Sequence, residues 1–284
     1  MKKWISLVIL ILTIFASPSA YAADQTIRID TVPVVSEVRP EVRDNRIMVP
    51  LRVIGESLGA EVEYSKSQVT LTADGMRVTL QPNSGTAVKN GATVKLDVKT
   101  YVKNNRIYVP LRFIAETFGC KVNYSKSGVT VDTDPLIIDG RQVKVLQEEY
   151  HMAMGGVIQH IQGNAYNRGI YNMFVNNLGA KVDAPANYSW SLKLDVPGLY
   201  YKTAQYDFLD NKGNSLKQFD IYTLLPASFR GEDDTVMQYP KVLVYDGSEH
   251  QWYLFNEHAL DSIDRLMSSA LYNGFVKVIS NTAA

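Results

Sequence analysis

Five small groups of residues in this chain have types and spacings that chemistry could use. Arg52 and Glu56, and again Arg112 and Glu116, are spaced i,i+4, which on a helix brings guanidinium and carboxylate onto one face. Such a pair can hold a polar ligand or anchor a helix. Because each pair recurs together with its surroundings, the anchoring role is the expectation. Glu249-His250 and Glu257-His258 offer metal-type donors, but a metal needs at least three converging ligands and the two histidines are eight residues apart. Glu232-Asp233-Asp234 sets its acids side by side, whereas a calcium loop alternates them. Cys120 is the single cysteine; a catalytic thiol wants a base beside it, no histidine lies near it in sequence, and it reads as a small core residue. Trp190, Tyr200, Tyr201 and Trp252 sit in a tyrosine-rich stretch and could stack on a glycan or peptide from a sheet face, so they are the binding candidates.

No nucleophile elbow, phosphate loop or His-Glu-x-x-His pattern is present. A carboxylate pair for glycoside cleavage is defined by separation in space. An extracellular enzyme with its acids in the second half therefore stands as the alternative to a non-catalytic binding protein. No cofactor or metal is expected.

Lys2 and Lys3, the apolar run from Ile5 to Phe15 and Ala20-Tyr21-Ala22 have the layout of a secretory signal cleaved before Ala23. The run is short for a membrane span, and an uncleaved anchor is the alternative. The expectation is a secreted or cell-wall-associated protein with no transmembrane segment after cleavage. Without that leader, 27 basic residues face 29 acidic ones and no basic block occurs, so nucleic acid is not an expected partner. A lone cysteine excludes an intramolecular disulfide, leaving packing to stabilise a chain that is 46% hydrophobic.

The elements that must position these groups show a repeat. Arg46 to Ser67 and Arg106 to Ser127 are variants of one phrase, 60 residues apart, with Pro50, Arg52, Glu56, Gly59 and Tyr64 matched by Pro110, Arg112, Glu116, Gly119 and Tyr124. Ile107 and Val109 alternate as in a strand, Pro110 ends it, and Leu111, Ile114 and Phe118 make one helical stripe. Gly119 stops the helix and a strand–turn–strand follows; the first copy does the same with Leu51, Ile54 and Leu58. Asn90-Gly91, Asp74-Gly75 and Asp139-Gly140 are hairpin turns. Past residue 147 the spacing predicts helices over Glu148–Gln162 and Tyr166–Leu178, the second stopped by Gly179. Alternating strands are then expected from Trp190, Leu192 and Leu194 onward, with hairpins Tyr200–Leu209/Ser215–Leu224 and Lys241–Tyr245/Gln251–Phe255, and a last helix from about Asn256.

The repeated phrase R-I-x-V-P-L-R-x-I-x-E-x-x-G-x-x-V-x-Y resembles the copper amine oxidase N-terminal-like, or stalk, domain over residues 27–147. That resemblance implies tandem, non-catalytic units on exported proteins, chiefly of Gram-positive bacteria, and carries no oxidase activity: a copper site of that family implies a His-x-His pair, and His151, His160, His250 and His258 contain none. Thr31-Val32-Pro33 stands where the family has an Asn-Gly turn, and Tyr64 and Tyr124 stand where it has tryptophan. The fold class expected is α+β: a signal at 1–22, a strand-rich module of two strand–helix–strand repeats with short helices at 23–147, and an α+β domain at 148–284 with an antiparallel sheet and flanking helices. The module would present the second domain to a cell-wall polymer or an extracellular protein.

Overall fold

The computed structural model describes residues 26–36, 39–65, 67–73, 75–151, 155–193, 196, 198–225 and 240–283. The expected signal, Asp74, Leu194 and Glu232-Asp233-Asp234 lie outside the described residues.

From Ile27 to Gln142 short strands alternate with two short helices: β1 (Ile27–Ile29), β2 (Val32–Pro33), β3 (Glu41–Arg43), β4 (Arg46–Pro50), α1 (Leu51–Ser57), β5 (Glu61–Ser65), β6 (Gln68–Ala73), β7 (Met76–Leu80), β8 (Thr86–Lys89), β9 (Ala92–Lys95), β10 (Tyr101–Lys103), β11 (Arg106–Pro110), α2 (Leu111–Thr117), β12 (Lys121–Ser125), β13 (Gly128–Asp132), β14 (Ile137–Ile138) and β15 (Arg141–Gln142). β4 and β11 pair antiparallel at the centre of a sheet ordered β10-β11-β4-β3. β5 to β9 form a meander, while β12-β13-β1-β2 forms a second four-stranded sheet in which β1 runs parallel to β13.

Each helix is bounded by its sequence. Pro50 and Pro110 are the N-caps, with extended backbones at φ −61° and ψ 121° and 122°, so each proline closes a strand and starts a helix one residue later. At the other end Gly59 and Gly119 take φ +77° and +76°. Gly59 N–H donates to the Glu56 carbonyl at 2.8 Å and Ala60 N–H to the Gly55 carbonyl at 2.9 Å; Gly119 and Cys120 repeat this pairing at 3.1 and 2.9 Å. These are the two bonds of a Schellman motif. They place Ala60 and Cys120 in the core, where burial pushes the Cys120 thiol up to about 12. The expected Thr31-Val32-Pro33 turn falls one residue earlier: Asp30 and Thr31 take φ 47° and 76°, and Val32 and Pro33 are already paired in β2. The Asp30 side chain tolerates that conformation.

The two capping glycines separate packing from backbone strain. A Cβ on Gly59 would lie 3.3 Å from the Ala165 side chain, whereas one on Gly119 would meet nothing within 4 Å. Gly119→Ala is therefore expected to cost about 1 kcal/mol from the left-handed conformation alone, and Gly59→Ala measurably more; urea unfolding of both variants checks the order.

The rest of the chain builds one large sheet and two long helices: β16 (Val145–His151), β17 (Gly156–Ile161), α3 (Asn164–Asn177), β18 (Leu178–Val182), β19 (Tyr188–Ser189), β20 (Tyr200–Leu209), β21 (Ser215–Leu224), β22 (Val242–Asp246), β23 (Gln251–Phe255), α4 (Glu257–Tyr272) and β24 (Val276–Asn281). The sheet order is β18-β23-β22-β21-β20-β16-β17-β24, with β19 lying parallel to the start of β20. The helix expected over Glu148–Gln162 is instead the β16–β17 hairpin. Gly155 sits at φ +85°, and a Cβ there would lie 2.0 Å from the Thr282 carbonyl oxygen, so the Gly-Gly pair makes room for the passing C-terminal strand. Gly179 does not stop α3; Leu178 turns straight into β18. Gly179 instead lets β18 approach β23, since a Cβ at this position would lie 3.1 Å from the Leu254 Cβ. Trp190 and Leu192 lie outside any strand. A last strand, β24, follows α4, beyond the elements that the residue spacing predicts.

Both long helices pack on one face of this sheet. Phe174 of α3 stacks on Phe219 at 4.6 Å and touches Tyr206 and Phe255. Ile263, Met267 and Ala270 of α4 are buried beside them. The core does not break at the expected boundary: residue 147 lies within β16, and one buried cluster runs from Ile27 through Leu111 to Phe275. Polar contacts cross the same seam. Tyr166 donates to the Glu56 carbonyl at 2.7 Å, and the Asp30 carboxylate accepts from the backbone N–H groups of Thr133 and Asn164, both at 2.8 Å.

Candidate binding site

The strand register places alternate side chains of the large sheet on the face opposite α3 and α4. Directly paired residues then form two rows across it: Lys277, His160, Gln147, Asp207 and Gln218 in one, and Glu149, Gln205, Asp220, Tyr245 and Trp252 in the next. Gln147, Glu149, His160, Gln205, Asp207 and Gln218 are half-buried. His160 and Gln147 pair at 3.1 Å, and Gln218 donates to Asp220 at 3.0 Å. Burial and the nearby Lys277 lower the His160 pKa.

An ion pair anchors the middle of this face. Lys202 Nζ lies 2.6 Å from Asp220 Oδ2, with both side chains about nineteen-twentieths buried, and donates to Gln205 at 2.9 Å. The ammonium also sits 4.1 Å over the Trp190 ring. Burial pulls the Lys202 pKa down, and the Asp220 carboxylate opposes it. Sequence reasoning misses this pair, because a lysine on an alternating strand ordinarily snorkels to water. Its one sequence signal is the hairpin register, which brings Lys202 and Asp220 onto neighbouring positions of one face.

The four aromatic candidates are divided between two tasks. Tyr200 and Trp252 are buried in a cluster with Tyr222 and Leu243. Trp190 is held between Lys202 and the His151 ring, which lies 4.1 Å from it, and Tyr201 donates to the His151 carbonyl at 3.0 Å. Tyr188 packs edgewise on Tyr222 and Trp252. Tyr188 and Trp190 thus strap the segment that carries them across one end of the face. The half-exposed glutamines, histidines and carboxylates beyond it form the accessible part.

The opposite face carries a different polar group. Glu148 is buried, accepts from Tyr206 Oη at 2.7 Å and from Gln159, and has its pKa raised by burial, with Asp264 adding to the effect. A carboxyl whose folded pKa exceeds its unfolded one holds its proton longer when folded, so stability falls as pH rises from the ordinary glutamate range through the folded value. Glu148→Gln is expected to flatten that part of the pH–stability curve, measured by urea unfolding from acid to neutral pH.

The remaining candidates stay apart. Glu249 binds Lys217 and Tyr253, Glu257 lies near Lys241, and His250 meets Tyr245 at 3.0 Å. Among the described residues no three His, Cys, Asp or Glu side chains group as a metal site would need. The repeated pairs are alike in detail: Arg52–Glu56 and Arg112–Glu116 both close to 3.7 Å, and each guanidinium lies over a tyrosine, Tyr64 at 4.6 Å and Tyr124 at 4.9 Å.

Proline-capped helices, glycine Schellman stops and arginine–tyrosine stacks thus mark both units of the first half, and comparison with known families gives them a name. Residues 28–133 match the copper amine oxidase N-terminal domain. That family is one of non-catalytic, stalk-like domains. The match covers a little over a third of the chain and none of the large sheet beyond β15. No curated protein and no solved structure matches the chain. The amine oxidase N-terminal match thus ends before the ion pair, the strap and the polar sheet face begin.

Proposed function

We propose that this is an exported, non-catalytic binding protein in which two copies of one strand–helix–strand unit form a stalk-like module. That module carries a sheet domain whose polar face binds a ligand outside the membrane, either a cell-wall polymer or an extracellular protein. The observation that carries the reading is the sheet face itself. It exposes amide, imidazole and carboxylate groups in two registered rows, while the other face takes both helices and the core. Export rests on the leader pattern of residues 1–22. Against the enzyme alternative, the buried acids of this half among the described residues are each engaged: Glu148 by Tyr206, Asp210 by Asn214, Asp220 by Lys202 and Asp246 by Lys217.

Sedimentation of residues 23–284 with isolated Gram-positive cell walls tests the proposal. Wild type is expected to co-sediment, and Gln147→Ala/Gln205→Ala to lose most of that retention while unfolding at the same urea concentration. Equal retention of both proteins would contradict it, and wall turnover abolished by a single carboxylate substitution would favour the enzyme.

A further inference from the structure

The β14–β15 hairpin ends beside the turn that joins β20 to β21. A groove of about 500 Å³ lies between them, lined by Arg141, Gln142, Lys144, Asp210, Asn211 and Lys212. That volume is in the range of small-ligand sites. The groove sits at the opposite end of β20 from Tyr188 and beyond the residues matched to the amine oxidase N-terminal family. Backbone bonds fix both of its walls. Lys144 N–H donates to the Leu209 carbonyl at 2.7 Å, which fastens one wall to the other. Asp210 organises the turn: its Oδ1 accepts from the backbone N–H groups of Lys212 and Asn214 at 2.8 and 2.9 Å, and its Oδ2 from the Asn214 side chain at 3.0 Å. These bonds, those from Asn214 foremost, hold the Asp210 carboxyl below the usual aspartate range.

The cations of the groove are differently placed. Arg141 reaches Asp210 only at 3.5 Å, long for a charge-assisted pair, so the contact orients the guanidinium and leaves most of its five N–H donors for another partner. Lys144 and Lys212 are exposed, and among the described residues no carboxylate lies within ion-pair distance of either. Asp139, in the turn before Arg141, pairs with none of the three cations. Other lysines of this half are engaged: Lys202 by Asp220, Lys217 by Asp246 and Glu249, Lys241 by Glu257. A Cβ on Gly140 or Gly213, in the two flanking turns, would meet nothing within 4 Å, so the space beside both turns is open. Gln142 and Asn211 add amide donors, and among the described lining residues there is no aromatic ring.

We propose that this groove is an anion site and takes a phosphate group, free or as a monoester. The planar Arg141 fork suits two phosphate oxygens, and Lys144 and Lys212 supply point charges for the rest. Asp210 does not compete for these cations as a free carboxylate would, because its oxygens are already committed to the turn. The polar lining makes the phosphate itself the recognised part, whatever body carries it.

The test titrates residues 23–284 with inorganic phosphate, with glycerol 3-phosphate and, at matched ionic strength, with acetate, following backbone amide shifts by NMR. A second arm measures co-flotation with phosphatidylcholine vesicles made with and without phosphatidic acid. Phosphate is expected to bind in the millimolar range, about tenfold tighter than acetate, and to shift the amides of Asn211 and Lys212. Recruitment to the phosphatidic acid vesicles identifies a lipid headgroup as the source, and glycerol 3-phosphate binding without recruitment identifies a soluble ester. Lys144→Gln and Lys212→Gln are each expected to weaken phosphate binding about threefold, and the double variant about tenfold. Lys126→Gln, an exposed lysine of the second repeat unit, leaves it within about twofold. All three lysines are exposed, so the variants retain the fold. The proposal is overturned if phosphate does not bind at about 20 mM, if acetate binds as well as phosphate, or if Lys126→Gln weakens binding as much as Lys144→Gln and Lys212→Gln do.

Discussion

Lys202→Met is expected to destabilise the protein by about 3–5 kcal/mol, the usual cost of removing one partner of a buried ion pair. Among the described residues, Asp220 would be left as a buried carboxylate with the Gln218 amide as its one side-chain hydrogen-bond donor. Trp190 would lose the cation over its ring, so the strap that carries it is expected to loosen as well. Urea unfolding gives the first effect, and acrylamide quenching of tryptophan fluorescence gives the second. The double variant Lys202→Met/Asp220→Leu is expected to recover most of the stability, because an apolar pair of similar volume removes the stranded charge. A loss below about 1 kcal/mol in the single variant would mean the pair is hydrated in solution.

Phe174→Ala is the second large effect, at about 3–5 kcal/mol for a deleted core phenylalanine. Phe174 is fully buried and packs on Tyr206, Phe219 and Phe255. The consequence reaches further than its own half, because one buried cluster joins the stalk-like module to the sheet domain. Two probes read the halves separately: Trp190 and Trp252 report the sheet domain, and thiol labelling of the buried Cys120 reports the module. Both midpoints are expected to fall together. A module that kept its Cys120 protection while tryptophan fluorescence reported unfolding would show two independent units.

Much of this architecture is legible in the sequence because it is local. Pro110, the Leu111–Ile114–Phe118 spacing and Gly119 each act within a few residues of themselves, and so does the short turn between Leu209 and Ser215, where Gly213 N–H donates to the Asp210 carbonyl, that joins β20 to β21. The failures occur where distant chain decides. Val157 and Ile161 are spaced four apart and suit a helix face, yet both are core residues of a strand, because β16 lies on one side and β24 on the other. Gly155 has the composition of a helix weakener, but its role is to let Thr282 pass. The same limit applies to the candidate site. Tyrosine and tryptophan are visible as types, but whether a ring faces water depends on the strap, which carries Trp190 between Lys202 and His151. The glutamine and histidine rows emerge only from the register of β24, β17, β16, β20 and β21.

Hydroxyl-radical footprinting of residues 23–284, with and without solubilised cell-wall fragments, addresses the binding face most directly. The fragments are expected to protect His151, His160 and Tyr245 and to leave Tyr124 on the second repeat unit as reactive as before. Protection of Tyr124 with His151, His160 and Tyr245 unchanged would contradict a binding role for the sheet face and move that function to the stalk-like module.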